Sequence, residues 1–448
     1  MALMISVSGI RGVFGTDLTP ENITQFTAAF GTWINKGTVV VGRDTRVTGQ
    51  ICEDIVAATL QSTGCDVVKV GIVPTPTVAM SVLEHEAAGA IILSASHNPA
   101  EWNALKLLNG KSEFLDARQG ERVIAISEEK EFDYQQYETI GRVVTDENAL
   151  KHHIREILAL PYINPEQIAE ADFTVAIDPV NGTGGIALPP LLEALGVNTV
   201  YSINEDPTGI FAHNPEPLPE HMQEICSLVR DEECDLGIVT DPDADRLALV
   251  TNTGALFGEE NTQAAAFDFI LDHTKGNVAT NLSSSQVADD IARKYGQQCY
   301  RSAVGEINVV KKMQEVNAVI GGEGNGGVIN PDLHYGRDAL VGVAMILQML
   351  AERDITLEEY RQSLPRYHIR KKKLQLDGID GDRVLRNALE IYADRDPVTT
   401  DGVKIHFDAG WVHLRKSNTE PIIRVYAEAK TAEEADQLGE RVKNEVLG

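Results

Sequence analysis

The chain is poor in cysteine, in basic residues and in long apolar runs, and each shortage excludes a class of protein. Its five cysteines (Cys52, Cys65, Cys226, Cys234 and Cys299) are scattered and odd in number. None falls in a CxxC pair, so neither a zinc cluster nor a disulfide framework is expected. Small buried thiols in a reducing compartment are the expectation instead. Lysine and arginine number 39 against 67 acidic residues, a formal net charge of −28. Duplex binding draws on clustered cations, so nucleic acid is not an expected partner. No apolar run approaches the roughly 18 residues of a membrane helix, so no membrane partner is expected either. The opening MALMISVSGIRG lacks the basic flank and apolar stretch of a secretory signal, which points to the cytoplasm. A GxSxG elbow is missing, and with it support for a hydrolase triad.

What is present is length and a repeated order. At 448 residues the chain exceeds one ordinary core. Hydrophobic residues at 43% and charged residues at 24% are the balance of a globular protein. Over the first two-thirds a short apolar run leads into a polar or glycine-bearing loop, and then into a helical stretch. Thr38–Val41 precedes GRDTR, Ala90–Leu93 precedes SASHNP, and Phe173–Ile177 precedes DPVNGTGG. Leu236–Val239 precedes TDPDADR, and Ala318–Ile320 precedes GGEGNGG. Such runs suit buried parallel strands. Gln50–Ser62, with Ile51, Ile55, Val56 and Leu60 about a turn apart, predicts a helix between two of them. The alternation implies α/β units with mixed, mostly parallel sheets. Ligands of such sheets sit beyond the carboxyl ends of strands, where every one of these loops lies.

The last eighty or so residues read differently. Val403–Phe407, Trp411–Leu414 and Ile422–Ala427 are β-rich runs, and Thr431 opens a final helix with a capping box to Glu434. A smaller C-terminal α+β domain is expected. Domain boundaries are placed to give 1–150, 151–255, 256–365 and 366–448. HIRKKK at 368–373 marks the last crossing and reads as a solvated strand edge.

Four loops carry chemistry. In 241–246, Asp241, Asp243 and Asp245 stand at alternate positions, followed by Arg246. Three carboxylates in a tight loop can converge on one hard cation, and oxygen ligands suit magnesium. The glycine and distant glutamate of an EF-hand are missing. An acidic turn whose aspartates cap backbone amides is the competing reading. In 94–99, Ser96 is a candidate nucleophile that needs a base or a metal to assist it, against a plain polar turn closed by Asn-Pro. Arg415-Lys416-Ser417-Asn418-Thr419-Glu420-Pro421, with Arg424 beyond, would cradle a phosphate dianion. Gly321–Gly327 lacks the GxGxxG fingerprint and fits a flexible loop presenting Glu323 and Asn325 to sugar hydroxyls.

These loops, with SGIRG at 8–12, resemble the α-D-phosphohexomutase family in the same order and over essentially the whole chain. The resemblance implies three related α/β domains and a smaller C-terminal domain around a central cleft. It implies Ser96 as a phosphoserine, with Asp241, Asp243, Asp245 and a phosphoserine oxygen holding Mg²⁺. Arg11, His97, Lys106 and Arg246 fall near the phosphoserine, with Lys106 a candidate general base. Glu323 and Asn325 fall in the sugar-recognition loop, and Arg415, Ser417, Asn418, Thr419 and Arg424 in the loop that grips the non-reacting phosphate. The implied substrate is a small sugar phosphate, passing through a hexose 1,6-bisphosphate, on a monomer or homodimer.

Phosphoryl transfer is mostly positioning and charge neutralisation, so the arginines and a cation are needed together. Lys106 must be neutral to accept a proton, so burial or cationic neighbours are expected to lower its pKa. Three positions depart from many relatives: Gly327 stands where several have histidine, and Ala104 where many have glycine. Glu306 stands where mannose- and glucose-selective relatives can have histidine. GGEGNGG, SNTEP and VGEINVVKKM together look most like the archaeal-type phosphoglucosamine mutases. The expected substrate is therefore glucosamine 6-phosphate, converted to the 1-phosphate, with phosphomannomutase/phosphoglucomutase activity as the alternative. A non-catalytic sugar-phosphate binding protein and a metal-dependent phosphatase are the readings from other classes.

Overall fold

The computed structural model describes residues 3–6, 9–376, 378–417 and 422–447, and of Ser6 the backbone alone. The chain forms two compact units, 1–262 with 325–362 and 263–324 with 363–448.

The first unit holds two mixed sheets. In the seven-stranded one, Gly89–Leu93, Thr38–Arg43, Asp66–Ile72 and Val143–Thr145 run parallel. Trp102–Asn109, Gly9–Val13 and Met4–Ser6 continue it in antiparallel pairings. Val39, Val40, Val41, Ile91 and Leu93 are wholly buried, as an unbroken apolar run in a sheet covered on both faces requires. The helix Gly49–Ser62 turns most of the expected stripe inward, with Ile55 packed against the core, and departs from it at Ile51. Cys52, Val56 and Leu60 are buried, whereas Ile51 faces outward at 52% exposure.

The four-stranded sheet of this unit pairs Thr199–Ser202, Thr174–Asp178 and Leu236–Thr240 in parallel, then Leu247–Thr251 antiparallel. Its two central strands end at the DPVNGTGG and DPDADR loops, which pack closely. Thr183 N donates to Pro242 O at 2.8 Å, and a Cβ on Gly182 would come within 2.6 Å of Pro242 Cα. The helix Ala339–Arg353, apolar all round, is buried from Ala339 to Leu350.

In the second unit Cys299–Ser302, Asn277–Asn281 and Ala318–Glu323 form parallel pairs. A separate antiparallel sheet is ordered His368–Gln375, Ile422–Ala429, Gly410–Lys416, Val403–Phe407, with Leu374, Ile423, Leu414 and Val403 in its core. HIRKKK is indeed an edge strand, pairing Arg370 and Lys372 with Asp436, and Lys372 also with Glu440. The last helix, Ala432–Leu447, begins with the expected reciprocal cap between Thr431 and Glu434. Among the described residues no helix is long and apolar enough to cross a membrane. All five cysteines are free thiols, four buried and Cys299 half-buried.

Candidate active site

Ser96 sits in the loop after the buried strand Gly89–Leu93, with φ of +49°. A serine in the left-handed region costs about 1 kcal/mol, so something must hold it. Ser94 Oγ accepts from Ser96 N at 2.9 Å. Arg46, wholly buried, does the rest. Its Nη2 donates to Ser96 O (2.6 Å) and Asn98 O (2.8 Å), and its Nη1 to Pro99 O (2.5 Å) and Trp102 O (3.0 Å). Asp44 pairs with its Nε at 3.0 Å. Sequence reasoning had placed GRDTR after a strand but assigned Arg46 no role. Spacing gave no sign that it would fasten a loop fifty residues on.

The strand Leu236–Thr240 delivers the acidic loop. Asp241 Oδ1 accepts from the backbone of Asp245 and Arg246 at 3.2 Å each. Asp243 Oδ2 accepts from Thr75 Oγ1 and Lys106 Nζ, both at 2.5 Å. Asp245 Oδ2 accepts from Arg337 Nη2 at 2.7 Å. Ser96 Oγ donates to Asp241 Oδ2 at 2.7 Å and lies 3.4 Å from His97 Nδ1. Arg11 Nη1 reaches Asn98 Oδ1 at 3.4 Å, and Arg246 Nε lies 3.9 Å from Asp245 Oδ1. The first unit thus brings together Ser96, His97, Lys106, Arg11, Arg246 and the three aspartates.

One oxygen of each aspartate lies within 4.8 Å of the others, and all three residues are buried. Among the described residues Asp243 Oδ1 and Asp245 Oδ1 have no hydrogen-bond donor. Buried carboxylate oxygens without a donor cost about 1–3 kcal/mol each, and a hard divalent cation takes such ligands. The residues present fit magnesium.

Electrostatics divide the cluster. Burial, then the neighbouring Asp245 and Asp243, raise Asp241 above the usual carboxylate range. Burial pushes Asp243 the same way, but Lys106, Thr75 and Arg337 hold it below that range. Lys106 reverses the expectation. Burial would lower its pKa, yet Asp243 and Asp245 raise it above the ordinary lysine value. Its fate depends on who else shares those two carboxylates. His97 is pushed down to about 2 by burial, then by Arg246, Arg337 and Arg11, so its imidazole is neutral.

The second unit carries the other predicted residues except Asn325. Glu323 ends the strand Ala318–Glu323, buried, with Oε1 accepting from Asn281 Nδ2 (2.9 Å) and Gly305 N (3.3 Å). Arg415 and Arg424 stand directly opposite on paired strands, and Lys373 flanks Arg424 on its other side. Like charges in register are destabilising unless an anion joins them. Arg415 pairs with Asp401 at 2.7 Å, and Ser417 N donates to Ile422 O at 3.0 Å. Asn418 and Thr419 lie outside the described residues. Asn325 belongs to the first unit, where its Oδ1 accepts from Gly327 N at 3.2 Å.

Four family models match in succession. They are the phosphoglucomutase/phosphomannomutase alpha/beta/alpha domains I, II and III, over 3–134, 151–254 and 259–367, and its C-terminal domain over 370–445. The chain belongs to the phosphoglucomutase/phosphomannomutase family. It is 35% identical to a phosphoglucomutase/phosphomannomutase of Thermococcus kodakarensis, covering 100% of both chains. It is 31% identical to a phosphoglucosamine/phosphogalactosamine mutase of Sulfurisphaera tokodaii, again over 100% of both. The crystal structure of a family protein from Burkholderia thailandensis shares the fold, with a TM-score of 0.86, 23% identity and coverage of 99% and 98%. Membership in this family of isomerases accords with the four-loop reading of the sequence.

Proposed function

We propose that the chain interconverts hexose 6- and 1-phosphates through a phosphoserine at Ser96, with glucosamine phosphate as its preferred substrate. One observation carries the reaction: a serine hydroxyl held 2.7 Å from one of three converging aspartates, two of which have a donorless oxygen. Asp241, Asp243 and Asp245 would hold Mg²⁺, which when bound supplies Lewis-acid neutralisation of phosphoryl oxygens.

The remaining work falls to side chains. A sugar hydroxyl attacks the phosphorus of phosphorylated Ser96, the new O–P bond forms, and the P–Oγ bond breaks. Lys106 would take the hydroxyl proton in its neutral amine form, which a cation held by Asp243 and Asp245 would favour by competing with its ammonium for those carboxylates. Arg11 and Arg246 offset charge on the transferring group. The resulting bisphosphate turns and returns its other phosphate to Ser96. Arg415 and Arg424, with Ser417, Asn418 and Thr419, hold whichever phosphate is not reacting, while Glu323 and Asn325 read the sugar. This reading divides the chain functionally at about 150, 255 and 365. The five free thiols suit a reducing, cytoplasmic setting.

The choice of amino sugar rests on charge. Gly305 donates to Glu323, and the residue that follows Gly305 in the chain is Glu306, a second carboxylate at the start of the helix Glu306–Val316. An ammonium on the substrate is favoured there. The relative from Sulfurisphaera tokodaii is named for amino-sugar phosphates. Comparing kcat/KM for glucosamine, mannose and glucose 1-phosphates tests this, and a glucosamine value no better than mannose sinks it. Intact mass should show one phosphoryl group that Ser96→Ala loses together with turnover, by a factor on the order of 10⁴ or more.

A further inference from the structure

The acidic loop is gripped from two sides by helix starts, and a buried histidine joins the two grips. On one side, Arg337 Nη2 donates to Asp245 Oδ2 at 2.7 Å, and Ala339 N donates to Ala244 O at 3.2 Å. Asp338, between them, caps the helix Ala339–Arg353, its Oδ1 accepting from Leu340 N at 2.8 Å and Val341 N at 3.3 Å. On the other side the helix Thr75–Glu84 begins at Thr75. Thr75 N donates to Asp243 O at 2.9 Å and its Oγ1 to Asp243 Oδ2 at 2.5 Å.

His153, on the helix Ala149–Leu158, links them. Its Nε2 lies 2.9 Å from Asp338 Oδ2, and its Nδ1 lies 3.0 Å from Oγ1 of Thr77, in the first turn of the Thr75 helix. Asp338, His153 and Thr77 are all wholly buried. One tautomer satisfies the whole path: the Thr77 hydroxyl donates to Nδ1, and Nε2–H donates to Asp338. His334 Nε2 approaches the same Asp338 oxygen at 3.4 Å. Burial opposes it, but His153 and His334 together hold the Asp338 carboxyl below the usual range, which keeps it an acceptor.

We infer that His153 is a positioning residue for the acidic loop. By tying Thr77 to Asp338 it fixes the spacing of the two helix starts that hold Asp243 and Asp245, and thereby the affinity of the loop for a divalent cation. The inference rests on the assignment of the aspartates to a cation made under Proposed function.

The test uses the full chain with His153→Leu, which cuts the path, His153→Gln, which retains a donor and an acceptor, and Thr77→Val, which removes only the hydroxyl. Mn²⁺ binding is read directly by electron paramagnetic resonance, beside the Mg²⁺ dependence of turnover. His153→Leu should weaken Mn²⁺ binding by about tenfold, the scale of losing support behind a ligand. It should leave the KM for sugar phosphate unchanged and recover kcat at high Mg²⁺. Thr77→Val should move the same way, and His153→Gln should restore part of the loss. Unchanged Mn²⁺ affinity in a variant folded by circular dichroism overturns the inference. So does zinc bound to the wild-type protein and lost from His153→Leu, since the cluster would then be a metal site. Wild-type protein that binds no Mn²⁺, or binds it equally after Asp243→Asn, refutes the cation assignment instead.

Discussion

Arg337 and Gly327 are coupled. A Cβ on Gly327 would come within 2.4 Å of Arg337 Cδ, so a side chain there would push the guanidinium away from Asp245. Gly327 leaves the space that this arginine fills. Truncating one partner of a buried pair strands the other charge. Arg337→Met should therefore cost about 3 kcal/mol in urea unfolding with chelator present, and less at saturating Mg²⁺, where a cation takes over the stranded carboxylate. Equal losses in both conditions would separate Arg337 from the cation site. Ser96 and the three aspartates stood out as candidates because their short runs occur together with two further loops in one order, whereas either run alone also reads as a turn. Arg337 and Arg46 did not: each reaches its partner across a long stretch of chain, and an isolated arginine carries no such signal.

At the scale of elements, the buried strands could be read directly, since a strand covered on both faces must be apolar along its length. The inward stripe of Gly49–Ser62 was harder, because Ile51 and Cys52 are neighbours in sequence and only packing chooses between them. Here the sheet chose the smaller thiol. Close approach of two loops is likewise invisible until both strands are placed. A Cβ at Gly182 meets Pro242 backbone rather than a movable side chain. Gly182→Ala should destabilise the protein by about 2 kcal/mol, with a lower thermal midpoint. A midpoint equal to wild type would mean that the loops do not touch as described.

For the whole molecule, one contribution to the response to acid comes from the buried His413. Burial, with Lys404 and Arg415 nearby, lowers His413 to about 4 despite its bond to Asp401 O. An unfolded histidine titrates near about 6.5, so between that pH and about 4 the unfolded chain binds a proton that the folded chain refuses. Stability therefore falls as pH is lowered through this window, by about 1.4 kcal/mol per pH unit for this group. His413→Gln removes that penalty. Its calorimetric midpoint should sit below wild type at pH 7.5 and close the gap by pH 4.5. A constant gap would mean that His413 is not held neutral. Sequence alone pointed to the reaction class through the order of its loops along the chain, because each such run taken singly also fits a plain turn. The tertiary structure decided which side chains hold those runs in place: Arg46, Arg337, Thr75 and the raised pKa of Lys106. These depend on distances between segments far apart in the chain, and spacing along a sequence does not encode such distances.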